Sequence, residues 1–270
     1  MAGGAIACQA PIRLGDTITE GEESGVPTYP LTRFNEQASM TDAEAALLRG
    51  LGESAVLYRQ RSIIRRERQP VEAIYLLLEG WATSAIRLPN GQRQIVKVHI
   101  TGDMMGTPSM VLDTAADTLT AVTDCRVATL SFSHLRELLI SHPRMGPLFF
   151  MSVQIERLAL MDIVAALGKS SARERLIQLL LDLHDRLAKI GAVEEGRFDM
   201  PLTQELLGDV LGLTAVHVNR TMRMLEREGL IARQGQRVVL SDVERLRRIS
   251  PVPPRKVRFD PAWMPAPGEM

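Results

Sequence analysis

The stretch LTQELLGDVLGLTAVHVNRTMRMLEREGLI, residues 202–231, decides how this chain is read. Thr203 stands where its hydroxyl can cap a first helix running through Leu211, because a short oxygen-bearing side chain there satisfies an orphaned backbone N–H. Gly208 removes a side chain where two helices would cross closely, and Gly212 makes the turn. Thr214 then caps a second helix in which Val218, Met222 and Leu225 recur at i, i+4 and i+7 and share one inward stripe. The other face is left to Ala215, Val216, Asn219, Arg220 and Arg223. A helix-turn-helix that reads DNA needs this division: one stripe holds the helix to its domain while the other enters the major groove.

The next residues, GLIARQGQRVVL at 229–240, give two short strands around Gly235. They form a wing from which Arg233 and Arg237 can meet phosphates. A solvated helical hairpin is the plain alternative. The joint spacing of Gly208, Gly212, Thr214, Arg220, Gly229 and the wing favours the DNA-reading form. Charge agrees with it. The whole chain balances 32 Lys+Arg against 32 Asp+Glu, yet residues 214–248 hold eight Arg against four acids, and residues 1–30 hold one Arg against four acids. Such asymmetry points to a nucleic-acid surface at one end.

Working outward, 270 residues suit about two domains. Residues 1–29 lack sustained periodicity and read as a tail. MTDAEAALLRGLG, residues 40–52, predicts a short amphipathic helix capped by Thr41 or Asp42. Residues 62–131 change texture to short apolar or alternating runs broken by LPNGQ and TGD, which predicts an antiparallel β-sandwich or barrel with a hairpin at Asn90-Gly91. After Ser133 the pattern is helical. A short helix ends at Pro143, and a long one follows to Gly168. In the long helix Met145, Leu148, Phe149, Ser152, Ile155, Leu158, Met161 and Ala165 recur at three- or four-residue spacing. That stripe serves either a partner helix or the chain's own sandwich. A capping box, Ser171 with Glu174, opens another helix that closes at Gly191.

Two cysteines, Cys8 and Cys125, are too few for a disulfide framework or a four-thiolate cluster and fit a reducing cytoplasm. No basic region precedes an apolar core at the N-terminus, and no apolar run approaches ~18 residues, which disfavours secretion and membrane spanning.

With these motifs in place, residues 41–243 resemble the Crp/Fnr family of bacterial transcription regulators. LLLEGWA resembles its conserved strand, GDMMG its Gly-Asp turn and LGLTAVHVNRTMRMLEREGLI its recognition segment; LTAVHVNR, with FDPAW near the end, is most similar to a subgroup without a well-established ligand. The resemblance implies an α+β protein with an N-terminal cyclic-nucleotide-binding-like β-roll (a double-stranded jelly roll), a long dimerisation helix and a C-terminal winged helix-turn-helix. The corresponding segments are a tail at 1–29, the roll with its N-terminal helix at 30–133, helices at 134–169, the DNA-binding domain at 170–250 and a Pro-rich tail at 251–270. It also implies a homodimer, formed through Leu148, Phe149, Ser152, Ile155, Leu158, Met161 and Ala165, with double-stranded DNA and RNA polymerase as partners.

Departures from the family pattern bear on the effector. Cyclic-nucleotide binders of this family hold the ribose with a Gly-Glu pair after the Gly-Asp turn and the phosphate with an Arg-Ser pair further on. Here Thr107 stands for the Glu, and Ala115 and Ala116 stand for Arg and Ser. A phosphate without its guanidinium would be desolvated and unpaired, which argues against cyclic AMP. Cys8 stands alone where an iron–sulfur sensor needs several thiolates. A small ligand or haem in the roll, the latter near His99, Met104 and Met105, is the alternative form of the same regulator. A cupin-like enzyme would need several His and carboxylate ligands on adjacent strands, and only His99 is available there. The expectation is therefore a non-catalytic regulator without cofactor. At the tip of its reading helix Ala215 and Val216 are suited to thymine methyls, so polar readout falls to His217, Asn219 and Arg220. Arg220 is assigned to guanine, the competing partner being an acid of its own domain such as Glu205.

Overall fold

The computed structural model describes residues 27–268. Two helices come first, α1 (Thr32–Asn35) and α2 (Asp42–Gly50). Thr41 caps α2 in a reciprocal box with Glu44. Strands β1 (Val56–Tyr58), β2 (Ile63–Arg65), β3 (Ala73–Glu79), β4 (Trp81–Arg87), β5 (Arg93–Ile100), β6 (Met104–Met105), β7 (Thr118–Ala121) and β8 (Cys125–Ser131) then build the roll. They form two four-stranded sheets, ordered β1-β8-β3-β6 and β2-β7-β4-β5, with antiparallel pairing throughout. Period-two alternation lets each sheet turn one face inward, where Leu77, Leu119, Cys125 and Val127 are buried. The β4–β5 hairpin turns at Asn90-Gly91, where Gly91 has φ +83° and Asn90 Oδ1 accepts from the Gln92 N–H.

Three helices follow, α3 (Phe132–Ser141), α4 (Met145–Lys169) and α5 (Ala172–Lys189). The Ser171–Glu174 capping box opens α5 through both of its hydrogen bonds. The C-terminal head consists of α5, β9 (Arg197–Asp199), α6 (Gln204–Leu211), α7 (Ala215–Arg227), β10 (Ile231–Gln234), β11 (Arg237–Leu240) and α8 (Val243–Ile249). Its three-stranded sheet is ordered β10-β11-β9, one strand more than the wing the sequence indicates.

The tail expected at residues 1–29 lies outside the described residues up to residue 26, but its last member does not behave as a tail. Tyr29 is buried, and its hydroxyl donates to the Gly102 carbonyl at 2.5 Å, because the ring completes the core beneath α1 and α2. The Pro-rich segment after α8 is likewise docked on the body. Met264 is buried in that same core, and Asp260 accepts hydrogen bonds from Ser39.

Candidate DNA-reading surface and its setting

The head presents α7 as its free element. Thr203 Oγ1 accepts from the Leu206 N–H and Thr214 Oγ1 from the His217 N–H, so both threonines act as helix caps. Gly212 closes α6 in the left-handed region, φ +65°. A Cβ on Gly208 would sit 2.6 Å from the Leu213 carbonyl oxygen, so only glycine permits this turn. Val218, Met222 and Leu225 are buried, as their spacing requires. On the outer face Val216 is 80% exposed, Ala215, His217 and Asn219 are half-buried, and Arg220 and Arg223 are exposed. Neither guanidinium forms a salt bridge among the described residues, and Glu205 does not hold Arg220. The wing differs from the sequence expectation of two free cations. Arg233 is half-buried and engages Glu226 at the end of α7, while Arg237 reaches Asp199 on β9 at 3.3 Å.

The long helix corrects the expected dimer seam. Leu148 and Ser152 are fully buried in the protomer's own core, Phe149 packs on its margin, and Ile155 lines an internal cleft. Of the seven expected seam residues, Leu158, Met161 and Ala165 are exposed. Beside Leu158 and Met161, a second outward row is available in Phe150, Val153, Leu160, Val164 and Leu167, with Arg157 between them and with Leu160 and Leu167 bordering the same cleft. The six of this second row fall at alternating intervals of three and four, the two-position heptad repeat of a coiled-coil seam. The first three turns of α4 cover the roll, so tertiary packing claimed one face, and its apolar residues blurred the seam in the sequence.

Inside the roll, the Gly-Asp turn, the 3-10 turn Thr107–Val111 and the segment around Ala115 converge. Arg65 of β2 fills the space between them. It pairs with Asp117, approaches Ser109 Oγ at 3.3 Å and lies against Gly106, where any Cβ would meet its Nη1 at 2.7 Å. Ser109 Oγ also accepts from the Ala116 N–H, and Thr107 Oγ1 faces Glu156 of α4. A guanidinium is thus present where Ala115 lacks one, but Asp117 already neutralises it. Arg65 Nε and Nη1 have no hydrogen-bond partner among the described residues.

The residues suggested for haem do not converge. Met104 and Met105 are neighbours on one strand and point into different cores, and His99 Nε2 is bonded to Ser84 Oγ at 2.7 Å. No group of three or more His, Cys, Asp or Glu able to hold a metal occurs among the described residues.

A charged cluster at the junction of roll, long helix and head escaped the sequence reading. Asp103 is buried between Arg33 of α1, Arg186 of α5 and Lys97 of β5; Glu156 of α4 pairs with Lys97 and, at 3.3 Å, with Arg33. Burial alone would raise the Asp103 carboxyl, but these three cations and the neighbouring His99 hold it well below the usual carboxylate range. Burial lowers His99 and Lys97. The cluster walls a cleft of about 650 Å³ between β5, α4, α5 and the segment after α8. Its members come from five separate stretches of the chain, and apart from Lys97 and Asp103 they lie 30 or more positions from one another, so no local spacing announces them. On the roll's outer strand, Arg93 donates to Asp209 and Gln94 to the Asp209 and Val210 carbonyls, which seats α6 against β5.

Comparison with known proteins fits this architecture. Residues 174–249 match the Crp-like helix-turn-helix domain and residues 55–142 the cyclic nucleotide-binding domain. The chain is 32% identical to the transcriptional activator protein FnrL of Cereibacter sphaeroides over 63% of this chain and 69% of that protein. It is 27% identical to the nitrogen fixation regulation protein FixK of Azorhizobium caulinodans over 82% and 90% of the two chains. Among solved structures, FixK2 from Bradyrhizobium japonicum superposes with a TM-score of 0.67 at 25% identity, over 73% of this chain and 97% of that one. No helix of the described residues is long and apolar enough to cross a membrane.

Proposed function

Because the chain belongs to the Crp/Fnr family of DNA-binding transcriptional regulators, we propose that it binds a palindromic operator as a homodimer, one α7 in each of two successive major grooves, without gating by cyclic AMP. The observation that carries this reading is the free face of α7: Val216 is exposed at the helix tip, with Arg220 and Arg223 unpaired behind it. A helix so anchored on one side and bare on the other has the chemistry of major-groove readout. The heptad row of α4 supports the dimer. A continuous apolar stripe is covered when a second copy supplies the same stripe about a two-fold axis, and the single polar member Arg157 would fix its register.

Contact with RNA polymerase and a cytoplasmic location accord with family membership. A second reading, gating by a small ligand within the roll, draws on the unpartnered Nε and Nη1 of Arg65. Selection of bound fragments from random DNA tests the main proposal. The expected product is an inverted repeat with half-site centres about one helical turn, ~34 Å, apart. Recovery of single half-sites or of no consensus would overturn it. The dimer has its own test in Val164→Glu, a change at a 68% exposed position. It should yield folded monomers in sedimentation equilibrium, whereas an unchanged dimer would remove α4 as the interface.

A further inference from the structure

The segment that follows α8 lies beyond the matched helix-turn-helix domain, which ends at residue 249, yet it is built onto the long helix. Arg255 clasps Asp162 of α4 through Nε at 2.9 Å and Nη2 at 2.6 Å. Eight residues later Trp263 meets Phe150 of α4 edge-on, with ring centroids 5.9 Å apart and planes at 85°. Twelve helical residues separate Asp162 from Phe150, a span of ~18 Å. Eight residues of strap reach up to ~26 Å. The strap therefore runs antiparallel to α4, from Asp162 on the face turned away from the heptad row to Phe150, the row's first member.

Its far end is fixed. Asp260 accepts from the Ser39 N–H at 2.8 Å and from Ser39 Oγ at 2.6 Å, while the Asp260 N–H donates to the Gln37 carbonyl. Met264 is buried, and Arg144 Nε donates to the Pro265 carbonyl at 2.7 Å. Backbone, Asp260 and Met264 thus do the anchoring, and the aromatic side chains are not used for it. Trp263 remains 56% exposed and Phe259 52% exposed. Phe150, which Trp263 touches, is the first member of the outward heptad row and is itself more than half exposed.

We infer that the strap belongs to the dimer interface, with Trp263 and Phe150 forming one aromatic pad that receives the long helix of a second copy. This inference rests on the proposed dimer. Continuity fixes the occupant: the pad prolongs the heptad row, so whatever covers the row covers the pad. Rigidly held tryptophans are the side chains from which interfaces draw most energy, because they bury a large area at small entropic cost.

Sedimentation equilibrium on the full chain compares wild type, Trp263→Ser and a control, Val111→Ser, whose side chain is exposed on the 3-10 turn of the roll. The expected result is a dimer dissociation constant raised about tenfold or more by Trp263→Ser and unmoved by the control. A second readout needs no variant. Across a wild-type dilution series spanning the dimer equilibrium, the acrylamide-quenchable share of tryptophan emission should rise as dimers part. A dimeric wild type whose constant is unaltered in Trp263→Ser, or whose quenching is independent of concentration, overturns the strap's role and leaves the dimer standing. A wild type that stays monomeric overturns both.

Discussion

Arg233 lays its guanidinium fork on the Glu226 carboxylate, Nε to Oε1 and Nη2 to Oε2, both at 2.9 Å. The pair ties the wing strand β10 to the end of α7, so this arginine braces the reading helix instead of projecting from the wing. Arg237 is more exposed and only loosely held by Asp199. Arg237→Ala should therefore flatten the salt dependence of DNA binding by about one unit, the value of one lost phosphate contact. Arg233→Ala should leave that slope nearly unchanged and lower head stability by ~1 kcal/mol or less, since the pair is partly solvated. Anisotropy titrations over a range of salt, with thermal melts, separate the two; equal slopes for both variants would show Arg233 on phosphate.

Arg220 is the cation of α7 best placed for base readout, because it lies within the first two turns of the helix and no acid of the head forms a salt bridge with it. Its replacement by Ala should cost ~1–3 kcal/mol per half-site and relax preference at one base pair. Competition binding against single-position operator variants checks this. A uniform proportional loss over all variants would make Arg220 a phosphate contact.

Val216 meets the groove as a bare apolar group. Its contact with a thymine methyl buries about one methyl's worth of surface, so replacing the facing thymine by uracil should weaken binding by ~0.8 kcal/mol per half-site, about fourfold. The Val216→Ser variant should lose that sensitivity. Identical affinity of wild type for both duplexes would remove the apolar readout.

Asp117 occupies the interior of the roll beside Arg65, where the phosphate of a cyclic nucleotide would meet its negative charge. Millimolar cyclic AMP should change neither melting temperature nor DNA affinity. Saturable calorimetric binding at micromolar affinity would show that the pair opens to admit the anion.

The junction cluster sets an acid limit. Burial keeps His99 below its ordinary value, with Asp103, Lys97 and Glu156 as its charged neighbours. The unfolded chain protonates this histidine near pH ~6.5, whereas the native one resists, so the unfolded state binds more protons and stability falls as pH drops through that window. Asp103, held well below its ordinary value, adds a second loss below about pH 4, where only the unfolded carboxyl takes a proton. Urea midpoints should fall from pH 7 to pH 5 and again below about pH 4. His99→Asn should erase the upper step, and a wild type equally stable at both ends of that step would contradict it.

What the sequence determined by itself was local. Thr203, Gly208, Gly212 and Thr214 act within one turn of chain, so their caps, their close approach and their left-handed turn were legible from spacing alone, as were the hairpin at Asn90-Gly91 and the Ser171–Glu174 box. The alternation in residues 62–131 indicated a sheet sandwich for the same reason, since period two follows from strand geometry. Tertiary structure decided everything that depended on which face of an element meets which neighbour. The helix α4 is apolar nearly all round, so its sequence could not say that Leu148 and Ser152 turn to the roll while Phe150 and Val164 turn to solvent. Arg233 carried the same charge in either role until Glu226 came within reach. Asp103 gathers its cations from three elements, and the strap finds Phe150 more than a hundred residues back along the chain. Such contacts are set by packing between segments remote in sequence, and no periodicity within either segment records them.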